Sequence, residues 1–282
     1  MMFVGTLNFK FKGLQADRHV MPMRHLGAAL TGLDRIINTG LIAVAYKRPP
    51  KKREKFEVFV VAQQPIRGSV EIAALLEHAP WMLPVVQDFL VSGGVEASFR
   101  FISYVMTRLG GRPKEAEMHI QALLEMNRDH LSARDTSEQR QHETLRMALE
   151  AATGAVAPAA ELVVKSVGVS SSRLLVSGPK GETTEVDEPM ADAIRSKSGD
   201  EVGDLTAFTV KVDGFSHRKR QLKIEHPDRD GKLLNAEVRD PVFENAPNPY
   251  TDAAVNKREL SVLAKPVYRD GELRLLYVMA LS

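Results

Sequence analysis

Leu205-Thr-Ala-Phe-Thr-Val-Lys-Val-Asp-Gly-Phe215 is the stretch whose reading decides the fold of residues 203–282. Phe208, Val210 and Val212 share one side, and Leu205, Ala207, Thr209 and Lys211 the other. That period of two marks a half-buried strand. The segments that follow repeat the pattern. Residues 220–225 place Leu222 and Ile224 on one face, 232–239 form a third strand, 258–268 alternate Leu260, Val262 and Ala264, and 273–281 make a fifth. Pro227-Asp-Arg-Asp-Gly231 and Asp270-Gly271 separate them as tight turns, since glycine reaches positive φ without a Cβ clash. A long connection over 240–256 holds Pro241, Pro247 and Pro249, which keeps it off a ladder. The expectation is a small five-stranded β-barrel of SH3-like or OB-like type, whose closure removes exposed sheet edges.

Working backwards, residues 196–204 are rich in Ser, Gly, Asp and Glu and poor in apolar side chains, which suits a linker. The expected domains are 1–198, an α/β domain with a helical extension, and 199–282, the barrel. The fold class is α+β. Residues 2–11 predict a strand with Phe3, Gly5, Leu7, Phe9 and Phe11 on one face. Residues 22–45 predict an amphipathic helix, with Pro22 in its first turn, Leu26, Leu30, Leu33 and Ile37 on one stripe, and Gly40 weakening or ending it. Strands over 56–63, whose run Val58-Phe-Val-Val-Ala62 suggests burial on both faces, and over 68–75 complete a β-α-β-β unit. Helices follow at 84–91, 95–109 and from Pro113. Another is opened by the capping box Thr136-Ser-Glu-Gln139 and runs to about 152, and a separate one covers 155–167 with Pro158 in its first turn. A short strand at 173–176 and a small helix at 188–197 end the domain.

Composition narrows the function classes. The 282 residues carry 38 Lys and Arg against 36 Asp and Glu, a net charge of +2, and no cysteine. The balance argues against a protein dominated by a nucleic-acid field. The lack of cysteine excludes disulfides, thiolate metal sites and cysteine nucleophiles, and it suits a reducing cytoplasm. The opening residues lack the basic region and long apolar core of a secretory signal, and no charge-free window of about 20 residues predicts a membrane span. No P-loop, G-x-S-x-G elbow, H-E-x-x-H or G-x-G-x-x-G occurs. No cofactor, metal or catalytic residue is therefore assigned.

Two basic stretches are the candidate contacts. Lys47, Arg48, Lys51, Lys52 and Arg53, around Pro49 and Pro50 and flanked by Tyr46 and Phe56, form an extended loop able to hold phosphates; the plainer reading is a solvated loop. His217, Arg218, Lys219 and Arg220, placed on a barrel strand, would aim His217, Lys219, Gln221 and Lys223 to one side, with Phe215, Phe243 and Tyr250 near enough to stack bases. The alternative there is an ordinary soluble outer face. Pro247-Asn-Pro-Tyr250 lifts an aromatic that could anchor a partner. Asp17, His19 and His25 cluster near the first helix, but six residues separate the histidines rather than the four that put two ligands on one helical face. Glu138 and His142 do have that spacing, with His119 and His130 upstream, and no third ligand is placed.

These marks together resemble an uncharacterised bacterial family with an N-terminal α/β domain followed by a small barrel. The residues that carry the likeness are Gly13-Leu-Gln-Ala-Asp-Arg-His19 ahead of a helix with Leu30-Thr-Gly-Leu33, the Gly68-Ser-Val70 strand, the apolar helices after it, and Asp240-Pro-Val-Phe243 in the barrel. The resemblance implies the two-part architecture and a setting in bacterial defence or mobile elements, and it brings no catalytic residues. The leading expectation is a non-catalytic cytoplasmic binding or adaptor protein whose barrel contacts a nucleic acid or a protein. The alternatives are a structural protein that self-associates into a homo-oligomer through the apolar helices of 84–152, or an enzyme of unrecognised type.

Overall fold

The computed structural model describes residues 3–51, 54, 58–62, 70–78, 93–129, 138–196, 199–227, 229, 231–245 and 247–282. The chain divides into two compact units, Met1–Ser196 and Lys197–Ser282.

The first unit is an antiparallel sheet covered by helices. Its strands are β1 (Phe3–Lys12), β2 (Val58–Ala62), β3 (Val70–His78), β4 (Arg173–Ser177) and β5 (Thr183–Asp187), in the order β2-β3-β1-β4-β5. β1 lies at the centre, and its alternation sends Leu7, Phe9 and Phe11 into the core with no exposed surface. β2 is an edge strand, and Val61 is 39 % exposed, so its apolar run is not buried on both faces as expected. β5 escaped the sequence reading because Thr-Thr-Glu dilutes its pattern; Thr184 and Val186 still alternate inward. The expected helix at 84–91 lies outside the described residues.

Among the described residues four helices pack with this sheet: α1 (Met23–Tyr46), α2 (Val95–Leu109), α3 (Pro113–Asp129) and α4 (Glu138–Val163), followed by the short α5 (Glu188–Ser196). α1 does not end at Gly40. A Cβ there would stand 2.3 Å from Phe101 Cδ1, so the glycine admits an aromatic ring from α2 rather than breaking the helix. Gly32 on the same helix lets α4 approach closely: a Cβ there would lie 2.5 Å from the Ala159 carbonyl oxygen. α4 is also continuous where two helices were expected, with Pro158 inside it. Its apolar face runs through the expected break, with Leu149, Ala152, Val156, Ala159 and Val163 fully buried. That burial outweighs the cost of an interior proline, about 3 kcal/mol. By length and composition, Met23–Tyr46 and His142–Ser166 are each apolar enough to cross a membrane. In this fold they pack against each other, and their apolar faces form one core.

The second unit contains β6 (Glu201–Val202), β7 (Thr206–Ser216), β8 (Gln221–Glu225), β9 (Leu233–Val238), α6 (Pro249–Asn256), β10 (Glu259–Arg269) and β11 (Glu272–Leu281). Five strands follow the order β11-β9-β8-β7-β10 and close through a β10–β11 pairing, with β6 added on β10. All of these pairs are antiparallel except β9–β11. A parallel pairing between the third and fifth barrel strands, and a helix between the third and fourth, is the arrangement of the OB fold; SH3-like barrels pair antiparallel throughout. The barrel core is Val210, Val212, Leu222, Ile224, Ala236, Val262, Ala264, Leu276 and Val278. Asp270 and Gly271 have φ of 52° and 76°, the double positive φ of a type I′ hairpin.

α6 lies in the stretch read as irregular from its prolines. Pro249 stands at the start of the helix, where a missing N–H costs nothing, and the Asn248 side chain caps it by accepting from the Thr251 N–H at 2.9 Å.

Candidate functional site

The basic stretch of the barrel is a turn, not a strand. Residues 217–220 connect β7 to β8, and the Arg220 N–H donates to the His217 carbonyl at 3.0 Å. The strand alternation proposed for His217 and Lys219 therefore does not apply. Arg220 takes a left-handed backbone, φ 50°, and its guanidinium is used internally. Nη2 donates to the Asp240 carbonyl at 3.0 Å, and Nε lies 3.3 Å from Glu244 Oε1. His217 is stacked on Phe243 at 5.6 Å and 24°, and Phe243 in turn leans on Tyr250 at 5.8 Å. Asp240 completes the support. Its carboxylate accepts from the Tyr250 hydroxyl at 2.6 Å and from the Val242 N–H at 2.9 Å.

Tyr250 has no exposed surface, so it is not a partner anchor. Its ring packs within the apolar cluster of the barrel unit and its hydroxyl is spent on Asp240. Burial first, and then that hydrogen bond, push its phenol far above the ordinary range. Phe243 is equally buried, which leaves Phe215, 44 % exposed, as the accessible member of the three aromatics.

With Arg220 and His217 committed to holding the turn, the outward cations are Arg218 and Lys219 at its tip and Lys223 on β8. All three are exposed and have no ion-pair partner among the described residues. Lys223 sits opposite Asn235 across the β8–β9 ladder. The carboxylates on the same face are occupied: Glu225 holds Lys211 at 2.6 Å, and Glu237 holds Arg239 at 3.0 Å, whose guanidinium covers the Tyr277 ring. The β8–β9 face thus offers Lys223, beside Arg218 and Lys219 of the turn, with the neighbouring acids Glu225 and Glu237 already neutralised.

The N-terminal basic loop behaves differently. Lys47 ends α1 in a left-handed conformation, and Arg48 lies over the Tyr46 ring at 5.3 Å. Arg48 makes a two-pronged bond to Glu54, at 2.7 and 2.5 Å, and the Lys51 N–H donates to the same carboxylate at 2.7 Å. Arg48's bond, then the Lys51 N–H, hold the Glu54 carboxyl down at about 2. Glu54 is the residue that the charge run concealed: its contacts with Arg48 and the Lys51 N–H close part of the basic arm on itself. Lys51 is exposed, and Lys52 and Arg53 lie outside the described residues.

Of the two histidine clusters, the second lies partly outside the described residues, which leave out His130 and the Glu138 side chain; the members that are described have separate partners. Asp17 accepts from the Gly13 N–H at 2.7 Å within a turn, while His25 Nδ1 pairs with Ser170 Oγ at 2.9 Å. His119 is packed edge-on against Phe99, and burial pushes its imidazole below its ordinary value. Among the described residues no group of three His, Asp or Glu side chains is arranged to hold a metal ion.

Comparison with known proteins adds family membership. No curated protein and no solved structure matches the chain. Residues 204–282 match a family model described as a family of unknown function (DUF7947), a span that contains all five barrel strands. Residues 7–195 match a second model, described as a domain of unknown function (DUF7946), and on that match, which covers most of the chain, the protein belongs to the DUF7946 family.

Proposed function

We propose that this protein is a non-catalytic binding or adaptor protein whose C-terminal barrel takes a single strand of nucleic acid across β8 and β9. The observation that carries the reading is the set Arg218, Lys219 and Lys223: three exposed cations, without an ion-pair partner among the described residues, on the first turn and second strand of an OB-type barrel. OB barrels bind oligonucleotides with the face of their second and third strands and with their first loop, an analogy of fold rather than of sequence. Phe215, at the end of β7, adds an exposed ring on which a base can stack. The near-neutral charge of the whole chain favours a short contact over a long one.

Three phosphate contacts predict a slope of log K against log salt of about −2 for a single strand. The test is fluorescence anisotropy of labelled oligo-dT and oligo-U with the full chain, over a salt series. The triple variant Arg218→Ala, Lys219→Ala, Lys223→Ala is expected to flatten the slope towards zero and abolish binding at low salt. Absence of binding by the unaltered protein at low salt, or a variant that binds as before, overturns the reading.

A further inference from the structure

Helices α2, α3 and α4 of the N-terminal unit line a half-open cavity of about 280 Å³, independent of the reading above. Tyr104 of α2 is only 5 % exposed, its ring packed between helices, and its hydroxyl opens to the cavity, where it has no hydrogen-bond partner among the described residues. Arg108, one turn further along the same face of α2, lines the cavity too. It is exposed and likewise has no ion-pair partner among the described residues. Pro113 brings the first turn of α3 to the wall, where the helix adds partial positive charge.

The opposite wall is already balanced. Arg146 of α4 reaches Glu117 of α3 at 2.7 Å and Glu150 at 3.3 Å, and the other Glu117 oxygen accepts from Gln121 at 2.7 Å. The groups that remain unspent are the Tyr104 hydroxyl, the Arg108 guanidinium and the second oxygen of Glu150. Burial, reinforced by the charge of Glu150, raises the Tyr104 phenol above its ordinary value, so it faces the cavity as a protonated donor at neutral pH.

We infer that this cavity is a binding site for a compact small molecule bearing a carboxylate or phosphate, held by Tyr104 and Arg108, with a hydroxyl or ammonium of the ligand meeting Glu150. Two donors beside one acceptor are the complement of such a molecule. The volume lies just below the range of drug-sized ligand pockets, roughly 300–1,000 Å³, which suits an amino acid or sugar phosphate better than a dinucleotide.

The test uses the full chain and four probes at matched ionic strength: inorganic phosphate, glycerol 3-phosphate, L-serine and O-phospho-L-serine. Glycerol 3-phosphate reads the phosphate source and L-serine the carboxylate. Binding is followed by calorimetry and by the shift in unfolding temperature. At least one probe is expected to bind, and Tyr104→Phe and Arg108→Gln are each expected to weaken it about tenfold, the loss of one charge-assisted hydrogen bond. Without ligand, Tyr104→Phe should unfold no earlier than the unaltered protein, because the hydroxyl it removes has no partner. A structural hydroxyl would instead give a destabilised variant. No binding by any probe at about 10 mM, or binding by both variants as tight as that of the unaltered protein, overturns the site.

Discussion

The Tyr250 hydroxyl and the Asp240 carboxylate meet at 2.6 Å inside the barrel, where Tyr250 has no exposed surface and Asp240 is 7 % exposed. Removing the hydroxyl leaves a buried carboxylate oxygen short of a donor, at a cost of about 1–3 kcal/mol. Tyr250→Phe is therefore expected to lower the unfolding temperature of the full chain. The effect has a pH signature. Folding raises the phenol's value, so this contribution is complete below the unfolded value of about 10 and is lost as pH climbs above it. The stability gap between the unaltered protein and Tyr250→Phe should narrow from pH 9 upward; a gap that stays constant to pH 11 would show that the phenol ionises alike in both states. Nothing near Tyr250 in the chain marks this role. Its neighbours Pro247, Asn248 and Pro249 read as an exposed loop, and only the folded barrel brings Asp240 beneath the ring. The same holds for Arg220, one of four consecutive basic or histidine residues by sequence, yet distinct because its backbone turns left-handed and its side chain ties down the Asp240 segment.

At the scale of elements, the strands of the barrel were legible because period two and Asp-Gly turns are local signals. The helices that were misjudged depended on distant partners. Gly40 carries a local message of helix weakness, which Phe101 overrules by needing the space. Pro158 carries a message of helix ending, which the buried stripe from Leu149 to Val163 overrules. Gly40 and Gly32 of α1 are open to test. Gly40→Ala is expected to cost about 1–3 kcal/mol through overpacking. Gly32→Ala should cost at least as much, since the opposing atom is the Ala159 carbonyl oxygen of a helix backbone and not a side-chain ring. Urea unfolding of each variant measures this, and a Gly32→Ala protein as stable as the parent would mean that α1 and α4 separate without penalty.

On the scale of the whole molecule, each unit closes around its own apolar cluster. Tyr250→Phe acts in one and Gly32→Ala in the other, so their effects should add within about 0.5 kcal/mol in a double-mutant cycle; a larger coupling would show that the two cores do not respond independently. The candidate sites were legible only in part for a related reason. Charge runs and aromatics are visible in a sequence, but whether a cation is spent depends on acids brought in by folding. Glu54 consumes Arg48, and Glu244 stands by Arg220, while Arg218, Lys219 and Lys223 have no ion-pair partner among the described residues. The Tyr104 cavity left no sequence mark at all, because its donors look like ordinary members of an amphipathic helix.

The parallel pairing of β9 with β11 has a bearing on how the barrel is made. β11 is flanked by β9 on one side and β10 on the other, so the ring is completed by its last strand. While a ribosome is still extruding β11, the four earlier strands form an open ribbon with two unpaired rims, the kind of edge that recruits strands from other chains. Closure of this unit therefore waits for β11. Nascent chains stalled before Glu272 should be the aggregation-prone species, and release of the final strand the step that protects them.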